Sequence, residues 1–244
     1  MVSNHHPQPD MNSMISPSSK KVPHTSKIIP AGFVELEGDL EIPESATGIV
    51  TFVHGSGSSR HSPRNKYVAN LFRQAGFGTL LFDLLTKSEE QEDIYTGALR
   101  FDIDLLAKRL IGVTRWLEKQ PETRALKIGY FGASTGGAAA LLAAAELGDR
   151  ISAIVSRGGR PDLAGDALHL VHSPTLLIVG GLDDVVICLN EEAYAKLKCE
   201  KDLRIVPGAT HLFEEAGKLE QVAQLSTQWF NRHLGGFNDL EDAS

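Results

Sequence analysis

Ser134, Asp183 and His211 are the residues whose types and spacing could together do chemistry. A serine hydroxyl is barely ionised at neutral pH and attacks a carbonyl only with a base within reach. Histidine can take that proton and hand it to a leaving group. A carboxylate on the far ring nitrogen fixes the tautomer and steadies the imidazolium. Ser134 lies in Gly132-Ala133-Ser134-Thr135-Gly136, a glycine-flanked serine between an apolar stretch and an Ala-rich one. A sharp strand-to-helix turn of this kind pushes the hydroxyl out of the packed layers. Asp183 comes 49 positions later, after Leu176-Leu177-Ile178-Val179-Gly180-Gly181-Leu182. His211 follows 28 positions after that, behind Arg204-Ile205-Val206-Pro207-Gly208-Ala209-Thr210. Each sits where an apolar run meets a glycine turn, which allows tight reversal and display at a rim. Asp184 is the neighbouring alternative acid, and the first acid after the turn is preferred.

Acyl transfer also needs donors for the developing oxyanion. The backbone N–H of Thr135, just after the nucleophile, is one candidate. The backbone N–H of Ser56, in His54-Gly55-Ser56-Gly57-Ser58-Ser59, is the other. His54 reads as structural, because it stands where the chain leaves the sheet. The chemistry calls for no metal and no cofactor.

These residues need a frame, and the sequence supplies alternating strands and helices. Residues 33–37 and 40–42 flank Gly38-Asp39 and predict a hairpin or two short strands. Strands are expected at 48–53, 79–82, 128–131, 151–155, 175–179 and 203–206. Helices are expected at 64–75, 103–119, 136–147, 191–197 and 219–234. This alternation, with continuously apolar strands, predicts a mostly parallel central sheet covered by helices on both faces. In such sheets ligands bind beyond the carboxyl ends of the strands.

Residues 1–26 are rich in Ser, Pro, His and Asn and predict a disordered tail, without the apolar core of a secretory signal. One domain is expected over 27–236, with a flexible tail over 237–244. The net charge of −7 gives no footprint for nucleic acid, and no apolar run is long enough to span a membrane. Cys188 and Cys199, outside any metal or redox spacing, are expected as free thiols in a reducing, cytoplasmic setting. The oligomeric state is left open.

Ser, then Asp, then His is the chain order of the α/β-hydrolase triad. The segments His54-Gly55-Ser56-Gly57-Ser58, Gly132-Ala133-Ser134-Thr135-Gly136, Gly180-Gly181-Leu182-Asp183 and Pro207-Gly208-Ala209-Thr210-His211 resemble the α/β-hydrolase superfamily, within it the dienelactone-hydrolase-like group. The resemblance runs from Lys27 to about Leu234. It implies an α/β-hydrolase fold and hydrolysis of ester or related acyl bonds. Dienelactone hydrolases proper carry cysteine as nucleophile, whereas position 134 is serine. Related sequences also occur fused to phosphoribosyltransferase-like domains; with only a short tail before the domain, no such partner is expected here.

Only residues 157–174 separate two expected strands where a cap is often inserted, so no large cap and an open pocket for a small ester are expected. Arg60 and Arg157 are candidate substrate-binding residues on basic rim loops, and an anionic ester is one expectation. The alternative is that rim arginines brace loops against Asp83, Glu89, Glu90 or Asp162. Gly55-Ser56-Gly57 also opens a nucleotide-binding comparison. That comparison fails at Arg60, where the third glycine would stand, and at Asp83, 28 positions on from Gly55. A non-catalytic or slow ligand-binding protein, or an acyltransferase or thioesterase using the same triad, are the rival functions.

Overall fold

The computed structural model describes residues 25–235. The expectations for 1–24 and for 236 onward lie outside the described residues. The chain alternates β1 (Thr25–Ala31), β2 (Val34–Glu41), β3 (Gly48–Val53), α1 (Pro63–Gln74), β4 (Gly78–Phe82), α2 (Lys87–Thr96) and α3 (Ile103–Leu117). It continues with β5 (Lys127–Ala133), α4 (Thr135–Leu147), β6 (Ile151–Arg157), β7 (Thr175–Gly180), α5 (Asp184–Lys196), β8 (Lys201–Val206) and α6 (Lys218–Leu234).

The strands form one eight-stranded sheet in the order β1-β2-β4-β3-β5-β6-β7-β8. The β1/β2 and β2/β4 pairs are antiparallel, and the remaining pairs are parallel. Every residue of β3, β4 and β7 is buried, as a sheet covered on both faces requires. On one face α1 and α6 pack Phe72, Trp229 and Phe230 over Phe52, Phe131 and Val155. On the other, α3, α4 and α5 pack Leu106, Leu110, Leu141 and Ala193 over Ile49, Tyr130 and Ile154. After β3 the chain pairs outward to β4, and then returns to the opposite flank of β3 with β5. The carboxyl ends of β3 and β5 are therefore a topological switch point, where open α/β sheets bind ligands.

Four local expectations change. The hairpin turns at Gly32 and Phe33, with Gly32 at φ +76°, and Gly38-Asp39 runs straight through β2. Gly38 looked like a turn residue but is there for packing: a Cβ would come within 2.7 Å of Ile29 Cδ1 and 3.2 Å of Phe82 Cβ. Strand β1 starts at Thr25, so Thr25 and Ser26 belong to the sheet rather than to a tail. Helix α5 begins seven residues before the expected 191; its first turns leave Val185 and Cys188 exposed, which hides the apolar period. Helix α2 was not expected at all. It buries only Asp93 and so has no apolar stripe to read.

Candidate active site

Ser134 stands between β5 and α4 with φ 51° and ψ −123°. A non-glycine residue in that region carries about 1–3 kcal/mol of strain, held in place by its surroundings. The surroundings are glycines without spare room. A Cβ on Gly132 would meet Gly137 Cα at 2.6 Å, and one on Gly136 would meet the Val53 carbonyl oxygen at 2.1 Å. The helix thus starts directly against the end of β3. The Ser134 N–H donates to the Arg157 carbonyl at 3.3 Å, and its own carbonyl accepts from the Gly137 and Arg160 amides, both at 3.0 Å. The backbone is fixed on both sides, while the half-buried hydroxyl makes no hydrogen bond among the described residues.

Asp183 and His211 are brought together by their loops. Gly180 lies against the His loop so closely that a Cβ would meet the Ala209 carbonyl oxygen at 2.5 Å, and the Leu182 N–H donates to that same carbonyl at 2.9 Å. His211 Nδ1–H donates to Asp183 Oδ2 at 2.6 Å, within the range of charge-assisted bonds. Asp184, the alternative acid, is instead the first residue of α5. The His loop is clasped from below by Glu215, which accepts from the Thr210 amide (3.1 Å) and hydroxyl (2.6 Å). Phe213 anchors it with φ +56° and a ring 1% exposed. The imidazole packs over Gly158, where a Cβ would lie 3.5 Å from His211 Nδ1. Gly158 follows Arg157, the partner of the Ser134 amide, so His211 and Ser134 share one corner of the sheet. No hydrogen bond joins them among the described residues; in resting enzymes such contacts are often long and tighten on substrate binding.

The two oxyanion candidates also meet. The Ser56 N–H donates to Thr135 Oγ1 at 2.9 Å, an arrangement with no local signal in the sequence. His54 fixes the same peptide from the other side. The Leu84 N–H donates to His54 Nε2 at 3.1 Å, so Nδ1 carries the proton and donates to the Gly55 carbonyl at 3.0 Å. The Gly55–Ser56 peptide is thereby held at its oxygen by His54 and at its N–H by Thr135. Burial disfavours the charged ring and holds the His54 pKa below its ordinary value.

The rim arginines separate. Arg60 is spent inside the frame: it bonds Asp83 through both backbone and side chain and pairs with Glu37 (2.6 Å) and Asp39 (3.7 Å). Burial works against its charge, but the three carboxylates outweigh it and raise its pKa. Arg60 thus takes the bracing role given as the alternative to substrate binding, with Asp83 as a partner; two of its carboxylates arrive on β2, whose pairing a local sequence motif does not reveal. Arg160 grips Asp162 with two bonds of 2.8 and 2.7 Å. Arg157 is 7% exposed, and its Nε and Nη1 find no hydrogen-bond partner among the described residues. Burial, with Arg64 nearby, lowers its pKa to about 10, and its guanidinium lies 5.9 Å from the Phe213 ring centre.

A cavity of about 520 Å³ opens beside the loop that carries Ser56. Its far wall comes from the connection between β4 and α3, including Leu84, Leu85, Glu90 and Ile94, rather than from the stretch after β6. That stretch holds only a kinked 3₁₀ segment, Pro161–Leu170. Among the described residues no cluster of three His, Cys, Asp or Glu side chains could hold a metal ion, and no helix is long and apolar enough to cross a membrane.

An eight-stranded, mostly parallel sheet with a strained serine at its switch point and an acid–histidine pair beside it defines an α/β-hydrolase fold. The dienelactone hydrolase family matches residues 36–239, and the chain belongs to that family. A crystal structure of dienelactone hydrolase from Anabaena variabilis is similar with a TM-score of 0.86 and 57% identity, over 87% of this chain and 98% of that one. Est1E from Butyrivibrio proteoclasticus shares the fold, with a TM-score of 0.72 at 16% identity, over 86% of this chain and 99% of that one. A protein of Mycobacterium tuberculosis H37Rv, provisionally named a phosphoribosyl transferase, is 60% identical over 206 residues, 84% of this chain. The chain spans only 46% of that relative's length.

Proposed function

We propose that this protein is a serine hydrolase that cleaves a small, neutral ester through an acyl-enzyme. The observation that carries this reading is the 2.6 Å bond from His211 to Asp183 beside a serine in a strained turn. Ser134 Oγ attacks the carbonyl carbon while His211 Nε2 takes the hydroxyl proton. Asp183 accepts from Nδ1–H and stabilises the imidazolium. The carbonyl oxygen, now negative, is held by the Thr135 amide and by the Ser56 amide, which is shared between Thr135 Oγ1 and the oxyanion. His211 returns the proton to the departing alcohol, and water then repeats the sequence to release the acid and free Ser134. Each amide donor contributes about 3–4 kcal/mol in comparable sites.

A neutral substrate fits better than an anionic one, because Arg60 is neutralised and Arg157 is not on the wall of the cavity beside Ser56. The free thiols of Cys188 and Cys199 support a reducing, cytoplasmic setting. A fluorophosphonate probe tests the reading: it should attach covalently to Ser134, and Ser134→Ala should lose labelling and about 10⁴-fold or more in kcat while remaining folded. A folded wild-type protein that resists the probe and hydrolyses no ester would leave a ligand-binding protein instead.

A further inference from the structure

The cavity beside Ser56 carries information about what enters it. Its arginines are ion-paired, Arg64 to Glu214 at 2.6 Å and Arg100 to Asp93 at 2.5 Å, although Arg64 Nε has no hydrogen-bond partner among the described residues. Ser59 and Ser62 are also engaged, accepting from the His61 and Asn65 amides. Four polar groups on the lining make no hydrogen bond or ion pair among the described residues: the Ser56 and Ser58 hydroxyls, the His61 ring and the Glu90 carboxyl. The apolar Leu84, Leu85 and Leu106 line the same cavity, the first two on the wall that carries Glu90. The surface is therefore amphipathic, with donors and acceptors mixed, and Glu90 is its uncommitted charge. Asp83 and Glu37 add negative charge near Glu90, while Arg60 and His61 offset part of it. An anion would meet repulsion here. A full cation would gain little from a carboxylate already flanked by Arg60 and His61.

Orientation follows from the proton path. The leaving oxygen must face His211, which returns the proton. The cavity borders the Ser56 loop, with neither Ser134 nor His211 on its lining, and adjoins the nucleophile turn through the Ser56 amide, which bonds Thr135. The substituent on the other side of the carbonyl, the acyl group, is the one that points into it.

Resting on the hydrolase reading above, we propose that this cavity selects an uncharged acyl group bearing hydroxyls, the acyl portion of a polyhydroxy acid. Its hydroxyls bond Ser56, Ser58, His61 and Glu90, and its carbon skeleton lies on the leucines. These groups are half-buried or exposed in the free protein, so a short hydroxylated chain fits because an analogue lacking hydroxyls would cover them and leave them unpaired.

The test uses three phenyl esters with one leaving group: 2,3-dihydroxypropanoate, its isostere 2-methylbutanoate, and the anionic half-ester 2-methylmalonate. Each kcat/KM is divided by that ester's uncatalysed hydrolysis rate. The dihydroxy ester is expected to exceed both others at least tenfold. Glu90→Leu, and independently Ser58→Ala, should reduce its advantage over 2-methylbutanoate to less than threefold. Equal rates for the first two esters, a preference for the anionic one, or an undiminished ratio in both variants would overturn the proposal. If the fluorophosphonate probe still labels Ser134 in that case, only the acyl preference falls. If nothing is hydrolysed and nothing is labelled, the hydrolase reading falls with it.

Discussion

Replacing Gly136 with alanine sets two effects of different size against each other. Alanine is the better helix former, worth about 1 kcal/mol at most in a helix. Against that, the new Cβ would lie 2.1 Å from the Val53 carbonyl oxygen, 2.6 Å from that of His54 and 2.7 Å from the Val53 carbonyl carbon. All three are backbone atoms, so no side chain can swing aside. Relief requires the start of α4 and the end of β3 to part by about 1 Å, and misplacement on that scale can cost about 10²-fold in rate. These two elements carry the Thr135 and Ser56 amides, so the separation opens the oxyanion site directly. Overpacking of this kind also costs about 1–3 kcal/mol of stability. Gly136→Ala should therefore lower kcat/KM on phenyl acetate about 100-fold and reduce Tm. The control is Gly32→Ala at the β1–β2 turn, where φ is +76° but no atom lies within 4 Å of the added carbon. It should lose about 1–2 kcal/mol of stability through the left-handed backbone alone, with unchanged turnover. A Gly136→Ala enzyme within threefold of wild type would refute the argument, as would a Gly32→Ala enzyme equally impaired in turnover.

Two further outcomes follow from buried charge. His54 is held neutral, with its pKa depressed from 6.5 by burial, so the unfolded chain binds a proton more readily. Its share of stability is complete above about pH 6.5 and is lost as pH falls toward the folded-state pKa. Denaturant unfolding between pH 7 and 5 should show a steeper acid decline for wild type than for His54→Asn, and parallel curves would contradict the assigned tautomer. Arg157, with its pKa lowered by burial to about 10, carries an unfavourable burial of about 3 kcal/mol. Arg157→Met should raise stability by an amount of that order while phenyl acetate turnover stays within threefold; a large loss of turnover would show that the guanidinium supports the His loop.

Much of the centre of the fold was legible because its strands are continuously apolar and end in glycines. Strand β3 and the strand before Ser134 stand where the pattern put them, and Asp183 and His211 meet in a hydrogen bond. The periphery was harder. Gly38-Asp39 has the composition of a turn, yet Gly38 is required by the packing of Ile29 and Phe82 across strands far apart in sequence. Helix α2 had one readable signal, the capping box of Thr86 and Glu89, whose reciprocal bonds are 2.8 and 3.2 Å. The destination of Arg60 depends on antiparallel pairing between β2 and β4, which no local motif encodes. The Thr135–Ser56 bond likewise joins residues 79 positions apart and depends on the close approach that Gly136 permits.

Helix α2 is attached differently from the other α-helices among the described residues. It buries no large apolar side chain and is held by Arg109 on Glu89 and Arg100 on Asp93, both at 2.5 Å. Substitutions on its cavity side leave the two leucine- and phenylalanine-rich layers untouched. The shape and polarity of this wall can therefore be altered by surface substitutions without disturbing the packed layers that fix the β5–α4 turn.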